Sequence, residues 1–148
     1  MKRRNLLRAI AFLPVAHTCE AKSMKVVLDV VLFNYLDRPI FDVYIDGKVG
    51  ETSEAYPATG GGIFTGVSFA LGQKTVTWRL DGPKGTLRNG ETVANRKPLR
   101  LDTVVQGAKF LGVHIYPDDT VELITSVGLH GATERGIVMH EQRQNARR

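Results

Sequence analysis

The 148-residue chain has one cysteine, Cys19, so it can form no disulfide within itself and its core must come from apolar packing alone. That length suffices for one such core, and export to an oxidising compartment permits disulfides without requiring them. A membrane-spanning run is also missing. Residues 24–35 (MKVVLDVVLFNY) are the apolar candidate, but the run is too short and carries Asp29 in its middle. No helical period of useful length and no internal repeat is present. The net charge of +5 is unevenly placed. Lys2, Arg3, Arg4 and Arg8 stand against Glu20 in the first 21 residues, leaving 16 basic and 14 acidic residues, a net +2, in the remainder. No basic stripe interleaved with aromatics survives, which argues against a nucleic-acid partner.

Catalytic patterns are missing as well. Ser68 sits in GVSFA, which lacks the second glycine of a nucleophile elbow and falls inside a strand pattern. His114, His130 and His140 have no zinc-ligand spacing, and Asp118, Asp119 and Glu122 do not follow a calcium loop. Gly60, Gly61 and Gly62 are followed by neither a helix pattern nor Lys-Ser/Thr, so the phosphate-cradle template fails. These patterns predict a non-enzyme without metal or cofactor, and motif logic alone assigns it no activity.

Residues 1–21 have the parts of an export signal: a basic start, an apolar run over residues 6–16, and a short polar region. Arg3 and Arg4, followed by Asn5, Leu6 and Leu7, resemble a twin-arginine motif. Cys19 sits where a lipoprotein carries its acylated cysteine. The alternatives are cleavage after Ala21, which discards Cys19, and a start at Met24.

From residue 24 the chain reads as strands. Residues 24–35, apolar on both faces, predict a strand covered on both sides, paired antiparallel with a second strand in which Phe41, Val43 and Ile45 alternate with Asp42 and Asp46. Residues 48–62 read as a loop. The organising stretch is 60–85 (GGGIFTGVSFALGQKTVTWRLDGPKG), where Ile63, Thr65, Val67, Phe69 and Leu71 on one side and Val76, Trp78 and Leu80 on the other predict a hairpin turning at residues 71–74. Leu87, Val93, Leu99 and Leu101 predict one or two edge strands, with Arg88, Arg96, Lys97 and Arg100 as a solvated edge. Residues 110–116 and 121–125 form a second hairpin, with His114 as a satisfied structural histidine. The expected fold is all-β, a single antiparallel β-sandwich of six to eight short strands over residues 22–136, followed at 137–148 by an edge segment (Ile137, Val138, Met139) and a disordered basic tail.

The segments NYLDRPIFDV (34–43), GGG (60–62), TVTWRLDGP (75–83) and LGVHIYPD (111–118) resemble a family of small exported, lipoprotein-like proteins of Gram-negative bacteria with a domain of unknown function. The likeness runs from about Val27 to Gly136. Genes of that family commonly lie beside type VI secretion genes, including those for lipase effectors. The resemblance implies an immunity protein of the periplasm that binds and neutralises a secreted phospholipase, touching the membrane only through a lipid anchor at Cys19. Such an inhibitor needs a rigid scaffold and charged loops, and the expected contact residues are Glu51, Glu54, Tyr56, Lys84, Arg88, Asp118 and Asp119. Two alternatives are an accessory envelope protein that binds a secretion component or chaperones an effector, and a small-molecule or glycan-binding sandwich with an aromatic pocket at Trp78 or Tyr116.

Overall fold

The computed structural model describes residues 23–58, 63–129 and 131–148. The export signal with Arg3, Arg4 and Cys19, the triple glycine and His130 lie outside the described residues. The elements are β1 (Lys25–Asn34), β2 (Ile40–Ile45), β3 (Lys48–Ser53), β4 (Phe64–Ala70), β5 (Gly72–Lys74), β6 (Val76–Leu80), β7 (Thr92–Ala94), β8 (Leu99–Leu101), β9 (Phe110–Ile115), β10 (Val121–Ser126) and α1 (Glu134–Ala146). The fold is an all-β sandwich. One sheet has the order β10-β9-β1-β4, the second β3-β2-β6-β7, and a two-stranded ribbon joins β5 to β8. Ten strands are described; the sequence reads the six-residue β3 as loop and the three-residue β5 as a turn, which is why it predicts fewer.

β1 is a central strand, as its two-sided apolar run predicts. Leu28, Val30 and Leu32 face the core between the sheets, while Phe33 and Tyr35 are buried on the opposite face. Its pairing differs from expectation: β1 pairs with β4 and, in parallel, with β9, whereas β2 pairs with β3 and β6. The expected β4–β6 hairpin also does not form. β4 belongs to the first sheet and β6 to the second, and between them Gly72 (φ 111°) opens β5, which pairs with β8. A period of two tells which face is buried but not which strand lies alongside, because facing sheets impose the same alternation on both runs.

Two bulges re-phase the expected faces. At Asp42 (φ 51°) the register shifts, so Ile40, Val43 and Ile45 are buried while Phe41 is displaced beneath the Arg79 guanidinium, 4.6 Å from the ring centre. At Asp29 the β1–β4 register shifts, and the Asp29 carboxylate accepts from Gly66 N (φ 70°) at 2.8 Å. Phe64, Val67 and Phe69 then face the core and Ile63 is exposed. The Val76, Trp78 and Leu80 face is buried as expected, and β9 and β10 pair antiparallel as the second expected hairpin. Lys48 donates to the carbonyl of Ser68 on β4, placing a cation on the sheet's edge strand, where it discourages pairing with another chain.

The C-terminal segment is a helix, not an edge strand with a disordered tail. Its sequence, ERGIVMHEQRQNA, has no apolar stripe, and three adjacent apolar residues mimic a strand. Thr133 caps it by accepting from Gly136 N at 3.1 Å, Glu134 and Arg143 complement its dipole, and the fold holds it from outside. Arg143 donates to Tyr35 O at 2.5 Å, Arg147 reaches Asp37 at 3.1 Å, and Gly136 lies flat against the Tyr35 ring.

A Cβ at Gly136 would sit 2.1 Å from Tyr35 Cε1, and that ring is stacked on Tyr116 and cannot swing away. Overpacking of this kind costs about 1–3 kcal/mol, against about 1 kcal/mol gained from alanine's helix propensity. Gly136→Ala is therefore expected to lower unfolding stability or undock α1 in a denaturant titration with helix-sensitive dichroism. A stabilised variant would contradict the docking.

Candidate partner-binding surface

Asn34, at the end of β1, is fully buried and satisfies its amide locally. Its Oδ1 accepts from Leu36 N at 3.0 Å, and its Nδ2 donates to Arg38 O at 2.8 Å and to Ser53 O at 3.2 Å. These bonds fix the turn that carries the chain from one sheet to the other and aim Arg38 along the sandwich end. The register places Ile40, Ser53 and Leu80 in one row, and Tyr56 N donates to Asn34 O. The connections β1–β2, β3–β4 and β6–β7 therefore emerge together. The β9–β10 turn joins them, because β9 runs parallel to β1 and Ile115 lies opposite Asn34.

The β6–β7 connection, residues 81–91, is folded around the Arg38 guanidinium, which donates to Asp81 O (2.6 Å), Leu87 O (2.7 Å) and Asn89 Oδ1 (2.5 Å). Asn89 Nδ2 in turn donates to Gly82 O and Pro83 O, and Pro83 O also accepts from both the amide and the hydroxyl of Thr86. Asn89 N reaches Thr86 O, and Glu91 N reaches Arg88 O. The carbonyls of residues 81–83 and 86–88 thus all have internal donors. Arg88 (φ 65°) and Gly90 (φ 76°) take the left-handed backbone the reversal needs. The Arg88 fork meets both Glu91 oxygens at 2.7 and 2.8 Å and holds that carboxyl below its ordinary range. Outside this frame Leu87 is 82% exposed.

The expected contact residues fall into distinct places. Lys84 is exposed on this loop and makes no ion pair among the described residues, and Arg88 is spent partly on Glu91. Arg88 and Asp119 line one cleft of about 240 Å³, together with Leu36, Asp37, Arg38, Leu80, Pro117 and Arg143. Asp119 (φ 62°) accepts from Arg96 N through its carbonyl at 2.7 Å. Asp118 accepts from Thr120 and from Arg135 of α1 at 3.0 Å. Glu54 is exposed just past β3. Glu51 lies within β3 opposite Val43, in a segment the sequence reads as loop. Tyr56 is half-buried against Tyr35 (5.5 Å) and edge-on to His140 (5.1 Å).

In the sequence Arg38 reads only as a turn residue and Leu87 as part of an edge strand. The Asn89-Gly90 dipeptide was the available signal for a built loop, but nothing local shows that a cation 51 residues earlier in the chain organises it.

The rest of this end is aromatic. Phe33, His114, Tyr35 and Tyr116 stack nearly parallel, with successive centroids 4.4, 5.9 and 5.1 Å apart. His114 is buried and its Nδ1 is bonded to Tyr35 Oη at 3.0 Å, the structural role its pattern predicts. Tyr116 Oη meets Glu122 and Thr133 at 2.8 Å, and Thr133 N donates to Tyr35 Oη at the same distance. Burial pushes both hydroxyls' pKa values up, Tyr116's far above the ordinary tyrosine range. α1 fills the space over Tyr116, and Trp78 is fully within the core, so neither offers an open aromatic pocket. Ser68 pairs with Val27 and His114 with Phe33, six residues apart on β1 or about 20 Å, which keeps these two from acting together. Among the described residues no cluster of three metal-ligating side chains occurs, and no helix is long and apolar enough to cross a membrane.

No protein-family model, curated protein or solved structure matches the chain.

Removing the clamp should loosen the loop and leave the core intact. Arg38→Ala is expected to accelerate proteolytic cleavage within residues 82–90 and to cost about 1–2 kcal/mol, the scale of a few partly exposed hydrogen bonds. Cleavage at the wild-type rate would remove Arg38 from its role. Burial pushes the Asp118 carboxyl up, but the Thr120 hydrogen bonds and the Arg135 guanidinium more than offset it, so its folded pKa is lowered. Its contribution is then full above the unfolded carboxylate pKa of about 3.9 and is lost as pH falls through the lower folded value. Asp118→Asn should flatten the acid limb of the stability–pH curve; an unchanged limb would contradict the assignment.

Proposed function

We propose that the chain is a non-enzymatic immunity protein that binds and neutralises a type VI secreted (phospho)lipase effector in the periplasm. The observation that supports a binding role is the 81–91 loop, whose conformation is fixed by Arg38 and Asn89 before any partner arrives. A loop ordered in advance loses little conformational entropy on association, the feature that lets a modest contact area of ~800 Å² per partner bind tightly. Lys84 at its tip and the paired charges behind it supply the polar rim that guides encounter. The identity of the partner rests on the resemblance of residues 34–43, 75–83 and 111–118, and the compartment on the leader at 1–21 with Arg3 and Arg4. Cys19 is the residue at which a lipid anchor would tie the protein to the membrane.

The test is survival of cells that export a phospholipase effector encoded beside this gene while co-expressing the full chain or a chain lacking residues 1–21. Rescue by the full chain alone is the expected result. Absence of rescue by a folded, exported chain would remove the inhibitor assignment in favour of an accessory envelope protein that binds secretion machinery.

A further inference from the structure

We infer that the cleft between β5 and the β7–β8 turn is a binding site for a phosphate group, held by Arg96, Lys97 and Lys74 with Gln73 and Thr75 as neutral donors. The cleft encloses about 320 Å³, at the small end of the range for ligand pockets. Its walls carry three cations, Lys74, Arg96 and Lys97, and no acidic residue. Both walls are fixed from behind. Asn95 accepts from Val76 N at 2.8 Å and donates to Lys97 O at 2.8 Å, and Arg96 N reaches Asp119 O at 2.7 Å, so the turn is tied to β6 and to the β9–β10 connection. On the other side Asp46 accepts from Thr75 N at 2.9 Å and from the Lys74 ammonium at 2.8 Å. Lys74 is 3% exposed, and Gln73 O takes a second of its protons at 2.9 Å. An ammonium has three donors, so one N–H of this buried group has no acceptor among the described residues. Arg79, Arg88 and Arg100 each pair with a carboxylate, whereas Arg96 and Lys97 are exposed and form no ion pair among the described residues. The ligand class follows from the charges and donors. Asp46 offsets the Lys74 charge, which leaves two cations for the roughly two negative charges of a phosphate monoester at neutral pH. A guanidinium fork, two ammonium groups, a hydroxyl and an amide, spread over two walls, suit an anion with oxygens in three dimensions. A planar carboxylate needs less, since one arginine can satisfy both of its oxygens. Walls ordered in advance also keep the cost of binding low.

The experiment follows amide chemical shifts of the full chain during titration with inorganic phosphate at low ionic strength. Saturable shifts at residues 73–75, 95–97 and 99, with a Kd of about 1 mM or tighter, are the expected result. Arg96→Gln and Lys97→Gln should each weaken binding about fivefold or more, and the double variant should abolish saturation. Both side chains are exposed, so the variants should melt as the wild type does. Two further probes identify the source of the phosphate. Glycerol 3-phosphate binding more tightly than inorganic phosphate would mark a soluble ester. Sedimentation with phosphatidic acid vesicles that is lost in the double variant would mark a lipid headgroup, and either outcome supports the site. Shifts that do not saturate, that are equally large at Lys48 and Lys84, or that persist unchanged in the double variant would overturn it. Binding of a glutamate-rich peptide through Arg96 and Lys97, with no response to phosphate, would also overturn it and reassign the cleft to an acidic protein partner. None of these outcomes bears on the immunity function, which rests on a different loop.

Discussion

Asn34 is a polar side chain with no access to water at the point where the chain must leave one sheet and enter the other. An amide buried there without partners would cost a few kcal/mol. Its three hydrogen bonds, to Leu36 N, Arg38 O and Ser53 O, turn that liability into a joint linking both sheets. The features of the sandwich end follow from it. Tyr35, next in the chain, is directed to the outer face, where it takes the aromatic row and α1, and Arg38 is directed sideways into the 81–91 loop. The same short turn thus anchors the helix on one side and the candidate binding loop on the other.

The outer face of the first sheet shows why the helix is needed. Phe33, His114, Tyr35 and Tyr116 would leave a wide ring surface and a histidine facing water if nothing lay over them. α1 covers the Tyr35 end through a glycine rather than an apolar stripe, and its arginines bond to the turn it rests on. This explains a helix that is polar along most of its length: its stability comes from docking, not from its own pattern.

The sequence disclosed burial better than connectivity. Val76, Trp78 and Leu80, the two-sided run of β1, and the β9–β10 hairpin were legible because alternation reports the buried face directly. The partner strands were not, since Leu28, Val67 and Val76 face the same core from different sheets and alternate alike. Asp29 and Asp42 hid a further step, because a bulge re-phases alternation without any local mark beyond a polar residue. α1 was illegible because its reason for being helical, the Gly136 contact with Tyr35, lies about a hundred residues away in the chain. At the candidate site, Lys84, Arg88 and Asp119 were found as loop charges. The clamp that gives their loop a single shape was not, for Arg38 and Asn89 are ordinary turn residues until the fold brings them within 2.5 Å.

The proposed function requires a rigid loop, held by a residue of a distant turn, to bind a lipid-cleaving enzyme. Its most direct test is hydrogen–deuterium exchange of the full chain, free and with the purified effector. The expected result is a gain in protection centred on the amides of residues 82–88, with the sheets and α1 unchanged. Protection confined to β3 or α1, or none at all, would contradict it.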